Sequence, residues 1–114
     1  MNETAALILD LDAPFRQTGR TTRMLKAAIK CARKGDYDAV FVCGMNFSCG
    51  RAIRDMAERL DSVWSKKIIY ICPRNFLEME GFRNFALFID HAVHPEQAYE
   101  VGCWAKRRRA FIYR

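Results

Sequence analysis

No stretch of this chain reaches the roughly 18 uncharged apolar residues of a membrane-spanning helix, so no membrane partner is expected. The opening residues Met1-Asn2-Glu3-Thr4 carry an acid and no cation, which is wrong for a secretory signal. A cytoplasmic protein is the expectation. No C-x-x-C pair occurs among Cys31, Cys43, Cys49, Cys72 and Cys103. Their odd number and apolar surroundings argue for reduced thiols rather than zinc ligands or disulfides. There are no repeats, no low-complexity tract and no linker. The 114 residues leave no room for a second lobe. We expect one domain over 1–114, with its core in 5–92 and a helix and basic tail in 93–114.

What is present is apolar and basic. An apolar content of 51% suits a folded globule. The net charge of +6 is unevenly spread. Cations gather at Arg16, Arg20, Arg23 and Lys26, and again at Lys106, Arg107, Arg108, Arg109 and Arg114. A basic excess suits a polyanion such as a nucleotide, DNA or RNA. A solvated, solubilising face is the plainer alternative.

The stretch Phe15-Arg16-Gln17-Thr18-Gly19-Arg20-Thr21-Thr22-Arg23 lies between an apolar segment and a helical pattern. That is the layout of a phosphate-binding loop, where helix N–H groups and the helix dipole meet an anion. Against G-x-x-x-x-G-K-[ST], Gly19 and Thr21 match, Thr22 adds a second hydroxyl, Pro14 replaces the first glycine and Arg20 replaces the lysine. A plain turn with an N-cap would use the same residue types.

Residues 5–11 read as a strand leading into the loop, with a short helix as the alternative. From Thr21 to about Lys34, Met24, Leu25, Ala28, Ile29 and Ala32 recur at helical spacing, and Gly35 is a plausible stop. The run 39–43 is continuously apolar, as in a strand buried on both faces of a parallel sheet. A second helix is expected from about Cys49 to Leu60, capped by Asn46 or Ser48, with Asp55–Arg59 and Glu58–Arg54 as ion pairs. Strands follow at 67–72 and 85–89, with a helical turn at 76–80 between them. His94-Pro95 can open a third helix. Residues 110–113 read as an edge strand or a packed tail. Strands alternating with helices predict a three-layer α/β fold with a mostly parallel sheet of about four strands, and ligands at the strands' carboxyl ends.

Phe85-Ala86-Leu87-Phe88-Ile89-Asp90 has the form of a Walker B strand, whose carboxylate holds magnesium opposite the loop hydroxyl. Taken together, the two motifs resemble the first RecA-like lobe of the DExD/H-box helicases and related P-loop NTPases, over about residues 15–92. Thr18-Gly19-Arg20-Thr21-Thr22 stands at the family's phosphate loop. Cys72-Pro73-Arg74-Asn75 resembles its Thr-Pro-Gly-Arg segment, which touches the nucleic acid backbone. Asp90-His91-Ala92 stands at its Asp-Glu-Ala-Asp/His box. The chain is also similar to small phage or mobile-element proteins with a Gly-Arg-Thr-Thr-Arg loop and an Asp-His pair.

The resemblance implies ATP or another nucleoside triphosphate held by Thr18, Gly19, Arg20, Thr21, Thr22 and Arg23. It further implies Mg²⁺ on Thr21 and Asp90, and nucleic acid on Arg74. The departures weaken the chemistry. Arg20 is not equivalent to a lysine point charge. His91 replaces the glutamate that acts on water; a histidine can take a proton near neutral pH, which makes it the catalytic candidate. Hydrolysis is expected to be weak or partner-dependent. The rival reading, also drawn from the resemblance, is a non-catalytic phage-type protein on a degenerate P-loop fold. It would bind a host or viral machine and modulate it.

Three further candidates come from the residues themselves. Asp90, His91 and His94 have the chemistry of a metal site, although strand-end histidines usually cap or face solvent. Cys49 sits near a helix start, where thiols are activated. Trp104 to Phe111, with Lys106, Arg107, Arg108 and Arg109, suits phosphate contact and base stacking, an acidic protein partner, or an aromatic pair packed beneath a solvated charge run.

Overall fold

The structure is a computed structural model that describes residues 18–114. The strand expected at 5–11 and the loop residues 14–17, Arg16 among them, lie outside the described residues. The elements run α1 (Thr18–Lys34), β1 (Ala39–Cys43), α2 (Phe47–Leu60), β2 (Ile68–Ile71), β3 (Phe85–Ile89), α3 (Pro95–Lys106) and β4 (Phe111–Tyr113). Two 3-10 segments, Trp64–Lys67 and Pro73–Met79, flank β2.

The four strands form one sheet in the order β2-β1-β3-β4, and every pairing is parallel. The two inner strands, β1 and β3, are apolar and buried throughout because both faces are covered. Side chains alternate between two cores. Val40, Val42, Ala86 and Phe88 pack with Met24, Leu25, Ala28 and Ile29 of α1 and Ile53 and Ala57 of α2. Phe41, Cys43, Phe85, Leu87 and Ile89 pack with Ala98, Val101 and Trp104 of α3. The architecture is therefore three-layer α/β. Each fully buried large side chain contributes about 1.5–3 kcal/mol. Leu25, Phe41, Phe85 and Leu87 are wholly buried.

From β1 the chain moves outward to β2 through α2. From β3 it moves the opposite way to β4 through α3. Right-handed crossovers then require helices on opposite faces, as observed. Between β1 and β3 the direction of winding reverses, which opens a crevice at their carboxyl ends.

Some local readings change, and others are as the sequence leads one to expect. Thr18, Gly19 and Arg20, expected in a loop ahead of a helix from Thr21, belong to α1 itself. Residues 111–113, read as an edge strand or a packed tail, form β4, the fourth strand of the described sheet. The pairs Asp55–Arg59 and Glu58–Arg54 are absent from the ion pairs of the described residues. Arg54 lies over the Tyr70 ring instead, 5.2 Å from its centre, where a half-buried aromatic face attracts a cation. Asn46 caps α2, its side chain accepting from the Cys49 N–H at 2.8 Å. Gly35 ends α1 with φ of 76°, a left-handed turn suited to glycine. His94 caps α3, with Pro95 in its first turn. All five cysteines are free thiols, and burial pushes Cys43 up to about 12.

Candidate functional site

β3 delivers Asp90 to the crevice. The Asp90 N–H extends the ladder to the Cys43 carbonyl at 3.0 Å, so the carboxylate leaves the sheet at a fixed point. Asp90 is only 5% exposed. A buried carboxylate needs partners. Thr21 of α1, also buried, donates its hydroxyl to Asp90 Oδ1 at 2.7 Å across 69 residues of sequence. Asp90 Oδ2 accepts the Ala92 N–H at 3.3 Å.

His91 borders this pair. Its Nδ1 lies 3.5 Å from Asp90 Oδ1, and its side chain is nine-tenths buried. Neither ring nitrogen has a hydrogen-bond partner among the described residues. Its backbone is held from below: Arg114 donates to the Val93 carbonyl at 2.6 Å and to the His91 carbonyl at 3.3 Å. Arg114 was counted in the sequence only as part of the basic tail, and no local pattern marks it as a loop clamp.

Around the pair, Thr22 is half-buried while Gly19, Arg20 and Arg23 are exposed. A Cβ placed on Gly19 would meet nothing within 4 Å, so packing does not require glycine there.

The donor set suits magnesium. A carboxylate and a hydroxyl are hard oxygen ligands, and Mg²⁺ commonly takes one or two carboxylates, with waters and phosphate oxygens completing its shell. No group of three or more His, Cys, Asp or Glu that could cage a metal gathers among the described residues. His94 is exposed, and its Nδ1 accepts the Glu96 N–H at 3.2 Å, so it serves as a cap and does not join Asp90 and His91.

The remaining candidates separate. Arg74 is exposed just beyond β2, at the same carboxyl edge as Asp90. Beside it lies a cavity of about 320 Å³ lined by Asn46, Arg51, Arg54, Tyr70, Cys72 and Asn75. Lys106, Arg107, Arg108 and Arg109 lie between α3 and β4, at the opposite, amino edge of the sheet. Arg108 covers the Trp104 ring at 3.7 Å from its centre and donates to the Trp104 carbonyl at 3.1 Å. Trp104 is itself buried, edge-on to Phe76, so its ring is occupied by the core.

No family model matches the chain, and neither does any curated protein or solved structure. No helix of the described residues is long and apolar enough to cross a membrane.

Proposed function

We propose that this chain binds a nucleoside triphosphate with Mg²⁺ at the carboxyl edge of its sheet, hydrolyses it weakly or only with a partner, and associates with nucleic acid. The observation that carries the nucleotide reading is the buried Thr21–Asp90 hydrogen bond. It joins a hydroxyl in a helix's opening turns to a carboxylate at the end of an apolar strand, beside the crevice where such sheets bind ligands.

Thr21 and Asp90 would hold the ion, whose chemistry is to draw charge from the outer phosphates. The N–H groups of Thr18 to Thr21 would face those phosphates, and Arg20 and Arg23 would add charge. His91 is the candidate for orienting water, with two ring nitrogens unclaimed by the described residues. Arg74, on the same edge, is the candidate for backbone contact.

The second reading is a non-catalytic protein that modulates a host or viral machine. Arg20 in place of lysine and His91 in place of glutamate favour it, since both positions bear on cleavage.

Thermal unfolding with and without Mg-ATP separates them. Ligand at 100 times its Kd stabilises by about 2.7 kcal/mol, and Asp90→Asn should lose that gain. No shift with any nucleoside triphosphate at millimolar concentration would sink the first reading and leave the second.

A further inference from the structure

We infer that the outer face of α1 is the docking surface for a nucleic acid backbone. Arg20, Arg23, Lys26, Lys30, Arg33 and Lys34 are all exposed, and α1 contains no acidic residue. These six cations equal the excess of the whole chain, so the remaining charges balance. At about 1.5 Å per residue they span roughly 21 Å, all on the side opposite Met24, Leu25, Ala28 and Ile29.

The chemistry of the face selects its occupant. The apolar stripe of α1 is used up by the sheet, so the helix has no hydrophobic side to sink into a lipid surface. The outer face of α1 itself carries no aromatic anchor of the kind that centres protein interfaces; the exposed Phe111 lies at its edge, beside Lys30 and Lys34. What remains is a row of cations, half of them arginine, which suits repeated phosphates. Arg33 is already paired with Asp61 at 3.1 Å, and Lys34 lies 3.7 Å from Asp36. Among the described residues no such pair engages Arg20, Arg23, Lys26 or Lys30, and these four are taken as the principal contacts. Because Arg20 and Arg23 also adjoin the proposed nucleotide site, phosphate backbone and nucleotide would share one helix. The inference rests on the nucleic-acid half of the proposed function and is independent of the nucleotide half.

Fluorescence polarisation of the full chain with a labelled 20-base-pair DNA, and with its single strand, tests this across a salt series. Four phosphate contacts predict a log–log slope of about −3.6 on duplex, near −2.8 on single strand. On duplex that is about 100-fold weaker binding at 200 mM than at 50 mM salt. Lys26→Glu with Lys30→Glu should reduce the slope by about 2, leaving about 10-fold salt sensitivity. The milder Lys26→Ala/Lys30→Ala pair should act in the same direction. An unchanged slope in both pairs overturns the proposal. So does a slope that falls only in Lys106→Ala/Arg107→Ala/Arg109→Ala, or wild-type protein that binds phosphatidylserine vesicles but no nucleic acid. Lys26 and Lys30 lie outside the proposed nucleotide site. A missing Mg-ATP shift with a reduced slope would therefore remove the nucleotide reading and keep this one.

Discussion

α1 and α2 lie side by side on one face of the sheet and differ in almost nothing the core can sense. Each buries an apolar stripe against Val40, Val42 and Phe88 or their neighbours. Their outer faces differ completely. α1 carries six cations and no acid, whereas α2 mixes Arg51, Arg54 and Arg59 with Asp55 and Glu58. Packing against a sheet therefore constrains the inner stripe and leaves outer charge free.

The largest expected effects probe the shared half of that comparison. Leu25→Ala and Ile53→Ala should each cost about 2–5 kcal/mol, read as lost urea stability, because both side chains are buried in the same core. A cost confined to one helix would break the equivalence. The helix ends differ and give a smaller effect. α1 stops at Gly35, in left-handed geometry, while α2 passes into extended backbone at Asp61. Gly35→Ala should cost about 1–2 kcal/mol, and an unchanged melting temperature would contradict the turn.

The smallest effect lies at Asp61, where α2 ends and α1 reaches across through Arg33. The Trp64 N–H, helped by those of Val63 and by Arg33, holds its carboxyl below the usual carboxylate range. A depressed folded pKa gives stability that is present above the unfolded pKa, near 3.8, and is lost as pH falls through the lower folded value. Asp61→Asn keeps a capping oxygen and removes the titration. Its acid unfolding curve should be slightly flatter below about pH 4, and an identical curve would show that Asp61 contributes nothing there.

β1, β2 and β3 were legible because a strand covered on both faces is apolar without interruption. β4 was not, because three residues carry too little pattern to separate a strand from a packed tail. Gly19 concealed the helical character of residues 18–20: glycine reads as a turn, yet here it sits inside α1, where a Cβ would meet nothing within 4 Å. The adjacency of Thr21 and Asp90 could be anticipated from two motifs in order. The burial of His91 could not, since it depends on how the segment after β3 closes. The basic clusters looked equivalent in sequence, but crossover geometry puts Arg20 and Arg23 at the carboxyl end of the sheet and Lys106 to Arg109 at the amino end, while β4 returns Arg114 to the carboxyl end. Arg109 in that second cluster has φ of 61°. It fills the left-handed position of a helix-ending motif, with the Arg109 N–H on the Lys106 carbonyl and the Ala110 N–H on the Ala105 carbonyl. Part of this charge run is thus tied to chain reversal.

Arg114 ties the fold to the candidate site in another way. Its guanidinium bridges from the end of β4 to the carbonyls of His91 and Val93. Any ligand that holds Asp90 better when this segment is ordered would stabilise β4 against β3, and loss of β4 would weaken that ligand by the same free energy.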